Sequence, residues 1–177
     1  MKLKFVIVGL LLFLTSCEGD PGPMGPQGPP GTNILGQVFE VNVNFTSSNN
    51  YQTLIQFPPD IEVFESDVVM VYLLENQISD SSGPIDVWTP LPQTFYLNDG
   101  SQLVYTFNHT FFDVNIFLDG NANLDTIPFD FIENQSFRIA ILPADFANDP
   151  NLNIYDYSSV QEKLQNNRKD FKIKKID

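Results

Sequence analysis

Polar and apolar positions change rhythm near residue 34. From there on, apolar residues recur with a period of two, the spacing of a strand that buries one face. In LGQVFEVNVNF (35–45), Phe39, Val41, Val43 and Phe45 share one face, and Glu40, Asn42 and Asn44 share the other. YQTLIQF (51–57) follows a Ser-Ser-Asn-Asn turn and is closed by Pro58 and Pro59. DVVMVYLLE (67–75) is a continuous apolar run rich in β-branched residues, which predicts a central strand buried on both faces. A polar loop, ISDSSGP (78–84), is expected to separate it from IDVW (85–88). QTFYL (93–97) and QLVYTF (102–107) flank Asn98-Asp99-Gly100-Ser101, a hairpin signal because Asp-Gly supplies the positive φ of a tight turn. FFDVNIFL (111–118) alternates again, and SFRIAIL (136–142) stops at Pro143.

Seven or eight short strands with little helical periodicity predict a mainly β chain, an antiparallel β-sandwich of immunoglobulin-like or jelly-roll-like form over residues 34–154. The 16 Phe and six Tyr suit the inner faces of packed sheets. After that the period lengthens. YDYSSVQEKLQNN (155–167) sets Val160 and Leu164 one helical turn apart behind a Ser cap, predicting one short helix. DFKIKKI (170–176) alternates apolar residues with lysine and reads either as a lysine-guarded edge strand or as a frayed basic tail.

Ahead of residue 34 the grammar is different. Lys2 and Lys4 precede a ten-residue apolar core (5–14), about half of what a bilayer span needs, so residues 1–16 predict an export signal. Leu14-Thr15-Ser16-Cys17 resembles the bacterial lipobox, in which the cysteine is lipidated and becomes the first mature residue. Several acyl chains on Cys17 would exceed the two-signal threshold for stable anchoring. No second cysteine exists, which excludes intramolecular disulfides. Glycines at 19, 22, 25, 28 and 31 then set a strict Gly-X-Y period with proline at 21, 23, 26, 29 and 30. Residues 17–33 are therefore expected to be a lipidated cysteine followed by a polyproline II spacer, reaching about 45 Å at roughly 3.1 Å per residue. Five triplets offset little ordering entropy, so a monomer is preferred and a short homotrimeric stalk is the alternative.

Charge narrows the partners. Residues 18–160 hold nineteen Asp and Glu against one cation, Arg138, a net of −18, whereas residues 161–177 carry +3. Nucleic acid is excluded as a partner because phosphate binding needs clustered Lys and Arg. The acidic body is repelled by anionic lipid, which favours an outward-facing domain tethered to the membrane only through Cys17.

Candidate chemistry is sparse. His109, the one histidine, has nothing near it in sequence that looks like a nucleophile motif, and no phosphate-cradling loop, zinc spacing or nucleophile elbow occurs, so the chain is expected not to be an enzyme. In DGNANLD (119–125), Asp119, Asn121 and Asn123 follow the 1, 3, 5 spacing of calcium loops, with Asp125 at position 7 and Asp130 at position 12. The pattern departs at position 6, where Leu124 replaces the usual glycine, and a hydrated turn accounts for the same residues without metal. Calcium is thus the one candidate cofactor. Asp125-Thr126-Ile127 resembles the Asp-Thr-aliphatic O-glycosylation acceptor of exported Bacteroidetes proteins, with Thr126 as the modified residue.

Lipobox, acidic residue, Gly-Pro triplets and a Phe-rich acidic body containing FPPDIEVFESDVVMVYLLE, DVWTPLPQTFYLNDG and FRIAILPADF together resemble a family of small collagen-like lipoproteins of Flavobacteria and other Bacteroidetes. The resemblance implies an outer-membrane lipoprotein and implies no activity. Glu18 and Asp20 resemble surface-export signals, pointing outward. The expected role is a structural or adhesive cell-envelope protein that displays a β-sandwich. The alternative is a carbohydrate-binding module or a subunit of a surface complex, favoured if aromatics such as Tyr51, Trp88 or Tyr96 share one exposed sheet face.

Overall fold

A computed structural model describes residues 36–81, 83–167 and 173–176. The expected signal peptide, Cys17 and the Gly-X-Y repeat lie outside the described residues, all of which belong to a unit running from Asn33 to Asp177.

Among the described residues, nine strands form two sheets packed face to face. β1 (Gln37–Val43), β3 (Val68–Asp80), β4 (Gly83–Pro90), β8 (Gln135–Leu142) and β9 (Lys174–Ile176) make one, in the order β4-β3-β8-β1-β9. The other contains β2 (Gln52–Gln56), β5 (Gln93–Tyr96), β6 (Gln102–His109) and β7 (Asp113–Gly120), in the order β2-β7-β6-β5. Pairing is antiparallel except that β9 lies parallel to β1, so Lys174–Ile176 takes the form of an edge strand.

The alternation read from the sequence sets what faces inward. Phe39, Val41 and Val43 of β1, Val69, Val71 and Leu73 of β3, and Phe137, Ile139 and Ile141 of β8 meet Leu103, Tyr105, Val114, Ile116 and Leu118 of the facing sheet. Aromatic rings meet edge to face at the centre, with Phe45 6.0 Å from Tyr105 and 6.1 Å from Phe137. This geometry aligns ring quadrupoles and adds about 1 kcal/mol per pair beyond area burial.

A second core lies outside the sandwich. Val38, Met70, Tyr72, Ala140 and Leu142 project from the far side of the five-stranded sheet and are covered by Tyr157, Val160 and Leu164. These last three belong to a helix, Tyr157–Asn167, which follows a single short turn of helix at Ala144–Ala147; we label them α2 and α1. That cover is why β3, flanked by β4 and β8, is buried on both faces over Val69–Leu73. Helix α2 is capped by Asp156 rather than by serine: Asp156 Oδ1 accepts from the Ser158 amide at 3.0 Å.

One expected loop is a strand pair. Residues 78–80 continue β3 and residues 83–84 begin β4, with Ile78 opposite Ile85 and Asp80 opposite Gly83, and the polar composition reflects exposure. Because β8 pairs with β3 only over Val68–Leu73, the rest of the hairpin extends as a two-stranded arm, bent by a register shift between Leu74 and Asn76.

The sandwich has two distinct ends. The chain enters β1 at one end, beside the start of β3 and the finish of β8, since Gln37 pairs with Ile141 and Val68 with Leu142. The Asp-Gly hairpin and the segment joining β7 to β8 lie at the opposite end.

Candidate functional site

The residues read as calcium ligands sit at the end away from the start of β1, and in Asp119, Asn121, Asn123 and Asp125 one side-chain oxygen already accepts a hydrogen bond from the protein. Asp119 Oδ1 accepts from the Gly120 amide at 2.7 Å and Asn121 Oδ1 from the Gln102 amide at 2.6 Å. Asn123 Oδ1 accepts from the Asp125 amide at 3.3 Å, and Asp125 Oδ1 from the Tyr51 hydroxyl at 2.8 Å. That carboxylate holds the Tyr51 phenol above its ordinary pKa. Asp130 is exposed in a 3-10 turn, Phe129–Phe131. Among the described residues, no three Asp, Glu, His or Cys side chains converge. Gly120 has a structural reason for its place: it has φ +113°, and a Cβ there would run into the Gln102 carbonyl. Thr126 is exposed, its hydroxyl donating to the Asn123 carbonyl at 3.0 Å.

Three aromatics named from sequence do not form one platform. Tyr51 leads into β2 and Tyr96 ends β5, at opposite edges of the four-stranded sheet, while Trp88 lies on β4 in the other sheet. His109 stands at the exposed end of β6, its Nδ1 3.3 Å from the Thr110 carbonyl and its ring stacked on Phe107.

The densest polar cluster is one that the sequence reading did not assemble. Register sets Tyr72, Arg138, Glu40 and Lys175 in a row across β3, β8, β1 and β9. Arg138 Nε donates to Glu40 Oε1 at 2.6 Å, and Lys175 Nζ lies 3.3 Å from Glu40 Oε2. The Arg138 guanidinium stacks over the rings of Trp88, at 3.9 Å, and Tyr157, at 4.7 Å. Burial pushes the Tyr157 phenol above its ordinary pKa, against the pull of Arg138. The Trp88 Nε1 and Tyr157 hydroxyl are buried without a well-formed hydrogen bond. This cluster joins β1, β4, β8 and α2; with Glu40, Asp86 and Asp156 around one shielded guanidinium, it is built as a clamp rather than an anion receptor. Its signal in the sequence was Arg138 itself, the lone cation of an acidic body.

A different surface is left open. Among the described residues, the outer side of the four-stranded sheet carries no helix, and the register assigns its outward positions. Gln52, Leu54 and Gln56 project from β2, Asn115 and Phe117 from β7, Thr106 and Asn108 from β6, and Thr94 and Tyr96 from β5. Asp113 and Asp119, at the two ends of β7, are the charged groups on this face. At the corner next to Tyr96 is a groove of about 280 Å³, floored by Ile127, Pro128 and Phe131 and rimmed by Asn98, Asp99, Ser101, Asn123 and Thr126. The Ser101 hydroxyl and amide both donate to Asp99 Oδ1, at 2.6 and 2.9 Å, and hold that carboxyl below the usual range. Such a surface offers hydrogen bonds and a ring face, with a few carboxylates and no cation. No family model, curated protein or solved structure matches the chain.

Proposed function

We propose that the chain is a lipid-anchored cell-envelope protein, held in the outer membrane through Cys17, that displays its acidic β-sandwich outward in a structural or adhesive role. The observation that carries this reading is Leu14-Thr15-Ser16-Cys17 placed directly after a short apolar core and directly before the Gly-X-Y spacer. Its resemblance to collagen-like lipoproteins of Bacteroidetes supports the same reading. So does the arrangement of the sandwich: the spacer leads into β1 at one end, leaving the loops of the other end free to be presented. The role is non-enzymatic and the preferred state is a monomer.

Palmitate labelling of cells expressing the full chain tests the anchor: label on the wild type and none on Cys17→Ala is expected, and label surviving in Cys17→Ala overturns it. Proteinase treatment of intact cells tests the orientation, with cleavage expected before any permeabilisation.

A further inference from the structure

We propose that the groove beside Tyr96, together with the cation-free sheet face that runs away from it, binds a neutral polysaccharide. The proposal deepens the adhesive reading, and it rests on that reading for what the surface would meet outside the cell.

The argument starts from Tyr96. Its side chain is 76% exposed at the end of β5, although a core position was one residue away at Phe95. Pairing of Tyr96 with Gln102 fixes the backbone beneath the ring, so little conformational entropy is lost when something stacks on it. Beside the ring, Ile127, Pro128 and Phe131 supply an apolar floor suited to the C–H face of a pyranose. Asn98, Ser101, Asn123 and Thr126 place amides and hydroxyls around it, the groups that pair with sugar hydroxyls. The groove is near the lower end of small-molecule pockets, roughly 300 Å³, which is room for one or two sugar rings.

Charge selects the class of sugar. No Lys or Arg lines the groove or projects from the outer face of β2, β5, β6 or β7. An anionic glycan would meet Asp99, Asp113 and Asp119 with nothing to balance it. Those three carboxylates do not converge on one point, so they make no site for a cation. A neutral glycan loses nothing in either respect. Its length is argued from the sheet: Gln102, Thr106, Phe117 and Gln52 continue the same chemistry across β6, β7 and β2, so a polymer gains further contacts that a single sugar does not.

The test is affinity electrophoresis of the full chain, purified in detergent, through native gels containing laminarin, xylan, mannan or alginate. Retardation by at least one of the three neutral polysaccharides is expected, with a loss of about tenfold in affinity for Tyr96→Ala. Tyr155→Ala, which removes a ring 68% exposed in the segment leading to α2, should be retarded like the wild type. The proposal is overturned if none of the neutral polysaccharides retards the wild type, if alginate alone does, or if Tyr96→Ala is retarded equally. Because Tyr96 is exposed, thermal melts of Tyr96→Ala matching the wild type exclude misfolding. Running Cys17→Ala in the same gels separates the two readings, since glycan binding should persist when the anchor is lost.

Discussion

Replacing Arg138 with methionine removes the one cation of residues 18–160 from beneath α2 while keeping most of its length. The Arg138 and Glu40 side chains are only 12% and 15% exposed, with Nε and Oε1 2.6 Å apart. At an effective dielectric of about 20, unit charges about 4 Å apart attract by roughly 4 kcal/mol. Desolvation of both groups offsets much of that while the pair is intact. Once Arg138 is gone, Glu40 keeps its desolvation cost and only the exposed Lys175, 3.3 Å away, remains to balance it. The stack on Trp88 adds about 1 kcal/mol more. Together these give a loss of about 3 kcal/mol, at the low end of what breaking a buried pair costs. For a domain of this size that is roughly 10 °C in Tm. Urea unfolding followed by circular dichroism and by the fluorescence of Trp88 should show a lower midpoint with an unchanged slope. The double variant Glu40→Gln/Arg138→Met, which removes the shielded carboxylate and leaves only the more exposed Asp86 and Lys175 without their partners, should recover at least half of the loss. A loss below about 1 kcal/mol in Arg138→Met, or a double variant no more stable than the single one, would falsify the clamp.

Gly120→Ala should destabilise by about 2 kcal/mol or more, because its φ of +113° and the adjacent Gln102 carbonyl both oppose a side chain; an unchanged denaturation midpoint would refute this. Asn121→Ala should cost about 1 kcal/mol, since the Gln102 amide loses its acceptor, and the cost should be the same in calcium and in chelator. A cost confined to calcium buffer would show instead that Asn121 serves a metal. The Tyr72, Tyr105 and Tyr157 phenols are held above their ordinary pKa chiefly by burial. Unfolded tyrosines release protons above about pH 10 while these three hold theirs, so their contribution is intact below pH 10 and is lost as pH rises past it. Absorbance at 295 nm should therefore show these three ionising only as the protein unfolds; smooth ionisation of all six Tyr with unchanged circular dichroism would count against it.

Much of the architecture was legible because strand periodicity is a local property. The alternation in residues 37–43 and 113–118 was sufficient to place their inner faces, and Asp99-Gly100 marked the β5–β6 hairpin, with Gly100 at φ +84°. Local composition misled where exposure imitates a turn. Ile78, Ser79 and Asp80 are strand because they pair with Ile85, Pro84 and Gly83 across the arm, and pairing is not written into one segment alone. The candidate site was less legible. Spacing suggested a calcium loop in residues 119–130, yet the oxygens of Asn121 and Asp125 find partners at Gln102 and Tyr51, nineteen and seventy-four residues away.

The sequence by itself determined the class of fold, the inward faces, the acidic body and the Gly-X-Y period, because each depends on residue type and short-range order. Tertiary structure decided that Val38, Met70, Tyr72, Ala140 and Leu142 make a second core, since only sheet order brings three strands under one helix. It also decided that Arg138 meets Glu40 across ninety-eight residues, and that Tyr96 adjoins a groove without a cation. Those contacts depend on register between distant segments, which the global minimum of packing and hydrogen bonding selects and no single stretch of chain encodes.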